Sequence, residues 1–186
     1  MASEETAAES LAIGPEAILE AIERQRADDG EPAVQAERVP YLGFFLGDDV
    51  YGLPLEQLRE VARLTRLRRI PGAPSRVAGL VNLRGEIICA LNAHAILGVA
   101  ASAPAAPAFF VALRGFTDPI GLVVDNIADI YSIDPGQIEP PPPTWSAERA
   151  AFFVGTARVR EGLMGLLDLQ RLVADDGQRT SDGTFS

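Results

Sequence analysis

Residues 69–85 read Arg69-Ile-Pro-Gly-Ala-Pro-Ser-Arg-Val-Ala-Gly-Leu-Val-Asn-Leu-Arg-Gly85, and Glu86-Ile-Ile follows them. The prolines and the first glycine end one element, and the mostly apolar run 77–83 predicts a strand that carries Arg84 to a glycine bend. An arginine at the tip of a hairpin is poorly placed to stabilise a core. Its planar guanidinium is well placed to make bidentate, charge-assisted bonds to a carboxylate of another protein. The segment therefore indicates recognition rather than catalysis.

Short apolar runs separated by Gly, Asp and Pro continue on both sides of this segment. They predict three hairpins (41–46 with 50–53, 77–83 with 87–91, 152–158 with 163–167) and further strands at 60–67, 109–113, 120–124 and 127–133. Short helical pieces are expected at 54–58, at 93–97 between Asn92 and Gly98, and at 169–174 after Asp168. The four prolines at 140–143 exclude helix and central strand. Many short strands with Gly and Pro turns predict an all-β barrel or sandwich.

The two ends of the chain differ from this body. Residues 1–38 contain ten acidic and three arginine side chains, so they carry −7 of the net charge of −10. We expect an acidic, partly disordered extension there, with a short helix at 15–26 that presents Ile18, Leu19 and Ile22 on one face. Residues 100–108 read as a connector, and residues 175–186 as a disordered tail. The predicted folded domain therefore spans residues 39–174, and the helix at 15–26 would dock on it or on a partner if it is not frayed.

Composition excludes several classes of function. An acidic chain is a poor candidate for binding nucleic acid, where phosphate contacts dominate the affinity. A single cysteine, Cys89, allows no internal disulfide and favours the cytoplasm, and no apolar run is long enough to insert into a membrane. Within the body, residues 59–84 contain seven arginines and only one acid, Glu60. This cluster predicts a basic face for an acidic protein partner.

The sequence shows no converging set of catalytic or metal-binding groups. His94 is the single histidine, and at the start of a short helix it is expected to be solvated or to cap that helix. One histidine and one cysteine cannot supply a closed zinc site. Asp125 and Asp129 are interpreted as turn and surface residues rather than as paired catalytic carboxylates. Neither of the glycine-rich phosphate-binding patterns occurs. We therefore expect no catalytic residues, no metal and no cofactor, and the chain is not predicted to be an enzyme.

The body of the chain resembles the CheW family of bacterial chemotaxis coupling proteins. The most specific block is residues 70–85, which follows the family pattern Pro-x-Ala-Pro-x-x-Val-x-Gly-Val-x-Asn-Leu-Arg-Gly. Supporting blocks are Tyr51-Gly-Leu-Pro, Glu60-Val, Gly121-Leu-Val-Val-Asp125 and Val154-Gly, with Leu166-Leu-Asp168 after them, in the order that the family shows. The resemblance covers residues 39–173, which is nearly everything outside the two ends.

The resemblance implies a fold, a function and a set of partners. The fold is two intertwined five-stranded SH3-like barrels with short helices. The function is a non-catalytic scaffold, or adaptor, in chemotaxis signal transduction that couples chemoreceptors to a CheA-type histidine kinase. The partners are the cytoplasmic tip of a chemoreceptor, the regulatory domain of the kinase and further CheW-like domains, in receptor arrays on the cytoplasmic side of the inner membrane. The receptor-binding residues would be Arg84, as the ionic anchor, with Asn82 and Leu83 beside it and Val61 and Leu80 in an apolar groove.

The sequence departs from the family after the arginine motif. The family usually reads Ile-Ile-Pro-Val-Ile-Asp-Leu-Arg there, whereas this chain reads Ile87-Ile-Cys-Ala-Leu-Asn-Ala-His94 and keeps Leu97-Gly98. Asn92 can still cap the following helix, so the fold is expected to survive the change. The departure and the acidic extension keep an alternative open. In that alternative, a divergent paralogue competes for or sequesters the kinase or the receptor, or serves a non-flagellar array.

Overall fold

The structure, a computed structural model, describes residues 38–100 and 108–174. The predicted all-β class with short helices is confirmed in these residues. The acidic extension with its helix at 15–26, most of the connector at 100–108 and the tail at 175–186 lie outside the described residues, so those expectations stay predictions.

Five strands form the first sheet, and they come from both ends of the described chain. They are β1 (Val39–Leu46), β2 (Asp49–Pro54), β8 (Asn126–Ile133), β9 (Phe153–Val159) and β10 (Gly162–Leu167). Their order is β8-β1-β2-β10-β9, and the β2–β10 pair is parallel while the other neighbours are antiparallel. The first sheet is therefore built from the two ends of the described chain, and the stretch between them forms the second sheet.

The second sheet uses the five strands in between. They are β3 (Leu58–Arg63), β4 (Val77–Leu83), β5 (Glu86–Asn92), β6 (Phe109–Leu113) and β7 (Ile120–Val124), in the order β3-β6-β7-β5-β4. Here the β5–β7 pair is parallel and the other neighbours are antiparallel. The second sheet is thus inserted in sequence between β2 and β8 of the first sheet. This arrangement agrees with the predicted intertwined pair of five-stranded units.

The segment before β4 leaves the second sheet and returns along its edge. Strand β3 ends at Arg63 rather than at residue 67, and Arg68 instead forms an isolated antiparallel bridge with Leu80 of β4. A turn follows, in which Gly72 has φ 76°. Gly79 has φ 150°, and a Cβ atom there would lie 2.9 Å from the carbonyl carbon of Arg68. The glycine is therefore required for the close approach of the two backbones.

One apolar core joins the two sheets. It contains Phe44, Tyr51 and Leu53 of the first sheet together with Leu91 and Leu122 of the second, all nearly without exposure to solvent. Tyr51 stacks between two aromatic rings of its own sheet, 6.1 Å from Phe44 and 5.9 Å from Phe153 between ring centroids. Because the core is shared, we expect the sheets to unfold as a unit.

Among the described residues, three short α-helices lie near strand ends: α1 (Ala93–Leu97), α2 (Ala147–Ala150) and α3 (Leu169–Ala174). The expected caps of α1 are confirmed, since the side chain of Asn92 accepts from the Ala95 N–H and Gly98 is left-handed at φ 64°. Asp168 caps α3 by accepting from two backbone N–H groups. Helix α2 was not predicted. Ser146 caps it by accepting from the Arg149 N–H, directly after the extended proline run.

Candidate functional site

The tip of the β4–β5 hairpin has a strained backbone. Leu83 pairs with Glu86, and the two residues between them have positive φ, 52° at Arg84 and 90° at Gly85. Tight hairpin turns of this kind favour Asn or Gly at both positions. Among the described residues, Arg84 is the single non-glycine with positive φ. The side chain of Asn82 holds the turn by accepting from the Gly85 N–H at 2.9 Å. An arginine at this strained position indicates that its side chain is needed there.

The Arg84 side chain reaches across the sheet to a buried carboxylate. Its Nε and Nη2 atoms both donate to Oε1 of Glu60 on β3, at 3.0 and 2.9 Å. The Glu60 side chain is 9% exposed, whereas that of Arg84 is 67% exposed. A guanidinium carries five N–H donors, so the two bonds to Glu60 leave donors directed to solvent. Arg84 can therefore hold the buried glutamate and still bind a carboxylate from outside.

The structure separates the other predicted site residues into surface and core. Asn82 is exposed next to Arg84, and Leu80 is half-buried on the same strand. Leu83 is buried, and Val61 is 1% exposed within the shared core. Arg84, Asn82 and Leu83 thus share one end of a hairpin. Val61 does not face solvent, so its assignment to an apolar groove stays a prediction that the static surface does not support.

One apolar side chain beside the tip was not predicted from the sequence. Ile87 is 54% exposed and pairs in register with Asn82, whereas its neighbour Ile88 is buried. The alternation of faces along a strand could have shown that one of these two isoleucines points outward. The hairpin end therefore combines a cationic group with an exposed apolar one, a combination that suits a protein partner.

The arginine cluster at 59–84 is partly neutralised within the protein. Arg59 forms a 2.6 Å ion pair with Glu86, which lowers the pKa of the Glu86 carboxyl through their hydrogen bond. Arg84 is paired with Glu60, and Arg63 lies over the ring of Phe109 at 5.7 Å from its centroid. The basic face is therefore weaker than the count of arginines indicates.

His94 corrects an expectation from the sequence, whereas Asp125 lies at the bend between β7 and β8 as predicted. The His94 side chain is 13% exposed rather than solvated, and its Nε2 lies 2.9 Å from both carboxylate oxygens of Asp125. Asp125 also accepts from the Gly47 N–H at 2.7 Å. The histidine that departs from the family pattern thus ties α1 to the β1–β2 turn. No sequence pattern predicts this contact, because its members come from three separate segments.

A groove of about 1300 Å³ lies between segments that belong to the two sheets. Its lining contains none of the predicted receptor-binding residues. One wall consists of residues 74–76 and 95–98 before and after the β4–β5 hairpin. The other consists of residues 144–146, 148, 149, 151 and 152 before β9, with Arg171 and Ala174 of α3. We refer to this feature as the inter-sheet groove.

Two kinds of feature are absent from the part of the chain that the structure describes. No three His, Cys, Asp or Glu side chains are grouped closely enough to hold a metal ion there. Likewise, no helix among residues 38–100 and 108–174 has the length and apolar character needed to cross a membrane.

Known proteins match this chain over most of its length. The sequence model of the CheW-like domain matches residues 40–177. The chemotaxis protein CheW of Treponema pallidum is 28% identical over 144 residues, which are 75% of this chain and 85% of that protein. The chemotaxis protein CheW of Helicobacter pylori is 23% identical over 157 residues, 84% of this chain and 92% of that protein.

A solved structure agrees with both the sequence match and the fold. The crystal structure of the scaffolding protein TtCheW from Thermoanaerobacter tengcongensis superposes with a TM-score of 0.65 at 27% identity. It covers 73% of this chain and 92% of the other. The sequence model of the CheW-like domain spans both sheets and the arginine turn between β4 and β5, so the chain belongs to the CheW-like family.

Proposed function

We propose that this protein is a non-catalytic adaptor that couples chemoreceptors to a CheA-type histidine kinase in chemotaxis. The observation that carries the proposal is the CheW-like match over residues 40–177, which includes the whole β4–β5 hairpin. The relatives that match are chemotaxis and scaffolding proteins by name. A scaffold needs surfaces for two partners and no reactive centre.

The receptor would bind at the tip of the β4–β5 hairpin. Arg84 keeps guanidinium donors directed to solvent, and a glutamate on a receptor helix is a suitable acceptor for them. Ile87 adds an exposed apolar contact beside Asn82. The buried Glu60 fixes the direction of the guanidinium, so less side-chain entropy is lost when the receptor binds.

The remaining partners follow from the same family membership. The regulatory domain of the kinase would bind a different surface of the domain from the receptor, and further CheW-like domains would extend the array. The protein would then work in the cytoplasm, held at the inner membrane by the receptors it binds.

The structure supplies a matched control for testing the receptor anchor. Arg160 also lies at a hairpin tip, between β9 and β10, and its side chain is 70% exposed. In pull-downs with a receptor cytoplasmic tip, Arg84→Ala should weaken binding about tenfold or more, the loss expected when one member of a charge pair at an interface is truncated. Arg160→Ala should leave receptor binding unchanged. Equal effects of the two variants would contradict the assignment of Arg84.

Kinase activity separates the coupler from the alternative competitor. In a reconstituted mixture of receptor, CheA-type kinase and this protein, a coupler raises receptor-dependent phosphorylation. A competitor or sequestering paralogue lowers it. Absence of binding to both the receptor tip and the kinase regulatory domain would overturn the proposed function.

A further inference from the structure

The charges of the domain are divided between its two sheets. Residues 58–124, which contain the second sheet, carry eight arginines and three acids, a net charge of +5. Residues 39–57 and 125–174, which contain the first sheet, carry ten acids and four arginines, a net charge of −6. An acidic segment is therefore attracted to the second sheet and repelled by the first.

The exposed positive charge of the second sheet is concentrated in the segment that follows β3. Leu64 and Leu67 are half-buried against the core of that sheet. The backbone N–H of Leu64 donates to the Ala108 carbonyl at 2.9 Å, and Arg68 exchanges two backbone bonds with Leu80, at 2.9 and 2.8 Å. The leucines and these bonds fix the segment, so its charged side chains are held on the outside. We call this surface the arginine strip, and it consists of the exposed residues Arg63, Arg66, Arg68, Arg69 and Ile70.

In the described part of the chain, no acidic side chain pairs with the arginine strip. Within residues 61–117 the single acid is Glu86, and Arg59 already pairs with it at 2.6 Å. Glu60, just before this range, is held by Arg84. The apolar Ile70 is 41% exposed at the end of the strip. The strip therefore offers four guanidinium groups and an apolar contact to a partner that carries carboxylates.

We propose that residues 4–23 of this same chain bind along the arginine strip. They contain six glutamates and no lysine or arginine, so their charge is −6. Apolar side chains lie among the glutamates, including Leu11, Ile13 and Ile18, and these would contact Ile70. Residues 24–38, by contrast, contain four acids and three arginines. The charge of the extension is thus concentrated in the part that would act as the ligand, and the nearly neutral part next to β1 would be the tether.

The tether is long enough for this contact. Residues 24–38 can extend to about 50 Å, whereas a domain of this size has a radius of gyration of about 14 Å. Residues 4–23 can therefore reach the strip from the start of β1. Because the segment is covalently attached, its effective concentration at the strip is on the order of millimolar. Even a weak electrostatic contact is then populated at low salt.

The other acidic segment at an end of the chain suits the strip less well. Residues 175–186 contain three acids and one arginine, a charge of −2, and their one large apolar side chain is Phe185. Both the charge and the number of apolar side chains therefore favour residues 4–23 as the occupant.

The absence of lysine from the sequence provides a direct test. Arg66→Lys and Arg69→Lys, made separately in the full chain, keep the positive charge and each introduce the only side-chain amine. A carbodiimide then joins that amine to a carboxylate in contact with it, and mass spectrometry identifies the joined residues. We expect both variants to couple to glutamates within residues 4–23 of the same molecule. In 0.5 M salt the yield should fall about threefold or more, because the screening length shortens from about 10 Å at 0.1 M to about 4 Å.

The matched control for this coupling is Arg160→Lys. Arg160 lies at the exposed β9–β10 tip of the first sheet, within reach of Asp129 and Glu161. The amine introduced there should couple to these two neighbours, which shows that the reaction proceeds, and not to residues 4–23.

Binding of a free acidic probe tests whether the strip is occupied. A labelled poly-glutamate peptide should bind the unchanged chain weakly, since residues 4–23 compete with it. Changing all six glutamates of residues 4–23 to glutamine should tighten binding of the probe about fivefold or more. Adding Arg66→Gln and Arg69→Gln should remove that gain.

Three coupling results would overturn the proposal: a yield to residues 4–23 no higher than in Arg160→Lys, coupling to residues 175–186 instead, or coupling that occurs only between two molecules. The second result would assign the strip to the C-terminal residues and the third to a second copy of the chain. Equal binding of the probe with and without the six glutamates would also overturn it, because the strip would then be open. Neither receptor nor kinase enters these measurements, so their failure leaves the proposed function untouched.

Discussion

The two sheets follow the same plan. Read from edge to edge, β8-β1-β2-β10-β9 and β3-β6-β7-β5-β4 both have two antiparallel pairs, then a parallel pair, then a final antiparallel hairpin. Strands β9 and β10 therefore correspond to β4 and β5, and β8 corresponds to β3. This correspondence lets each feature of the second sheet be compared with its counterpart in the first.

The edge strand of each final hairpin carries a matching backbone bridge. The residue after Gly79 bridges to Arg68, and the residue after Gly155 bridges to Glu139. In both places a side chain on the glycine would meet the backbone of the bridging residue. Both bridges cover an edge that would otherwise be open to pairing with another chain.

The hairpin tips also match, but their charges are buried to different extents. Arg84 reaches Glu60 on the opposite edge strand β3, and Arg160 reaches Asp129 on the opposite edge strand β8. Glu60 is 9% exposed at its side chain, whereas Asp129 is 52% exposed. The ion pair between the tip arginine and the opposite edge strand is therefore half-buried in the second sheet and solvated in the first. The difference shows that position at a tip does not by itself determine how much an arginine stabilises the fold.

The largest difference between the sheets is expected at the bridging glycines. Gly79→Ala must adopt a φ of 150° and approach the Arg68 backbone, which should lower the free energy of unfolding by about 3 kcal/mol. Gly155→Ala has no positive φ, although its Cβ would lie 2.7 Å from the Glu139 carbonyl oxygen, so about 1–2 kcal/mol is expected. Urea unfolding monitored by circular dichroism measures both. An equal loss in the two variants would show that backbone strain at Gly79 is not the deciding factor.

The next effect concerns the half-buried pair. Arg84→Ala leaves the carboxylate of Glu60 buried without its hydrogen-bond donors, and we expect it to cost about 2 kcal/mol of stability while the protein stays folded. In a Glu60→Gln background the same substitution should cost under about 1 kcal/mol, since no buried charge remains. Equilibrium unfolding of the four proteins in this cycle gives the coupling. A coupling near zero would mean that Glu60 is adequately solvated without Arg84.

The corresponding substitution in the first sheet should have almost no effect on stability. Arg160 bonds to both Asp129 and Glu161 at 2.7 Å, but it is largely solvated, so Arg160→Ala should leave the free energy of unfolding nearly unchanged. The small effect should decrease further in 0.5 M salt. A loss as large as that of Arg84→Ala would remove the distinction between the two tips.

Local features of the fold were predictable from the sequence because short-range chemistry determines them. The cap at Asn92, the cap at Asp168 and the glycine that ends α1 depend on neighbours within three or four residues. The strand runs followed from apolar residues between Gly and Pro turns. These assignments needed no knowledge of the distant chain.

Long-range contacts were not predictable from local pattern. The parallel pairing of β2 with β10 joins residues more than a hundred positions apart, and no feature of either strand's sequence identifies the other as its neighbour in the sheet. For the same reason the sequence identified Arg84 as a candidate anchor and Glu60 as the one acid among the arginines, but it did not show that their side chains form an ion pair. The location of the candidate site was therefore predicted from the sequence, whereas the ion pair between Arg84 and Glu60 was not.

The tyrosines extend the comparison to alkaline pH. All three tyrosines lie in the first sheet, Tyr41 on β1, Tyr51 on β2 and Tyr131 on β8. Burial raises the pKa of Tyr51 to about 12, with Asp49 adding to the rise and Arg149 opposing it. Burial also raises the pKa of Tyr41 and of Tyr131, and the latter is raised further by its hydrogen bond to Glu161.

The sign of the effect follows from proton binding. In the unfolded chain a tyrosine has a pKa of about 10, so above that pH the folded state binds more protons than the unfolded state. The stabilising contribution is complete below pH 10 and is lost as the pH rises through the folded value of about 12 for Tyr51. Tyr51→Phe should therefore flatten the fall in the urea midpoint between pH 10 and 12, whatever its effect at pH 7. If the slope is the same with and without Tyr51, another group drives alkaline unfolding.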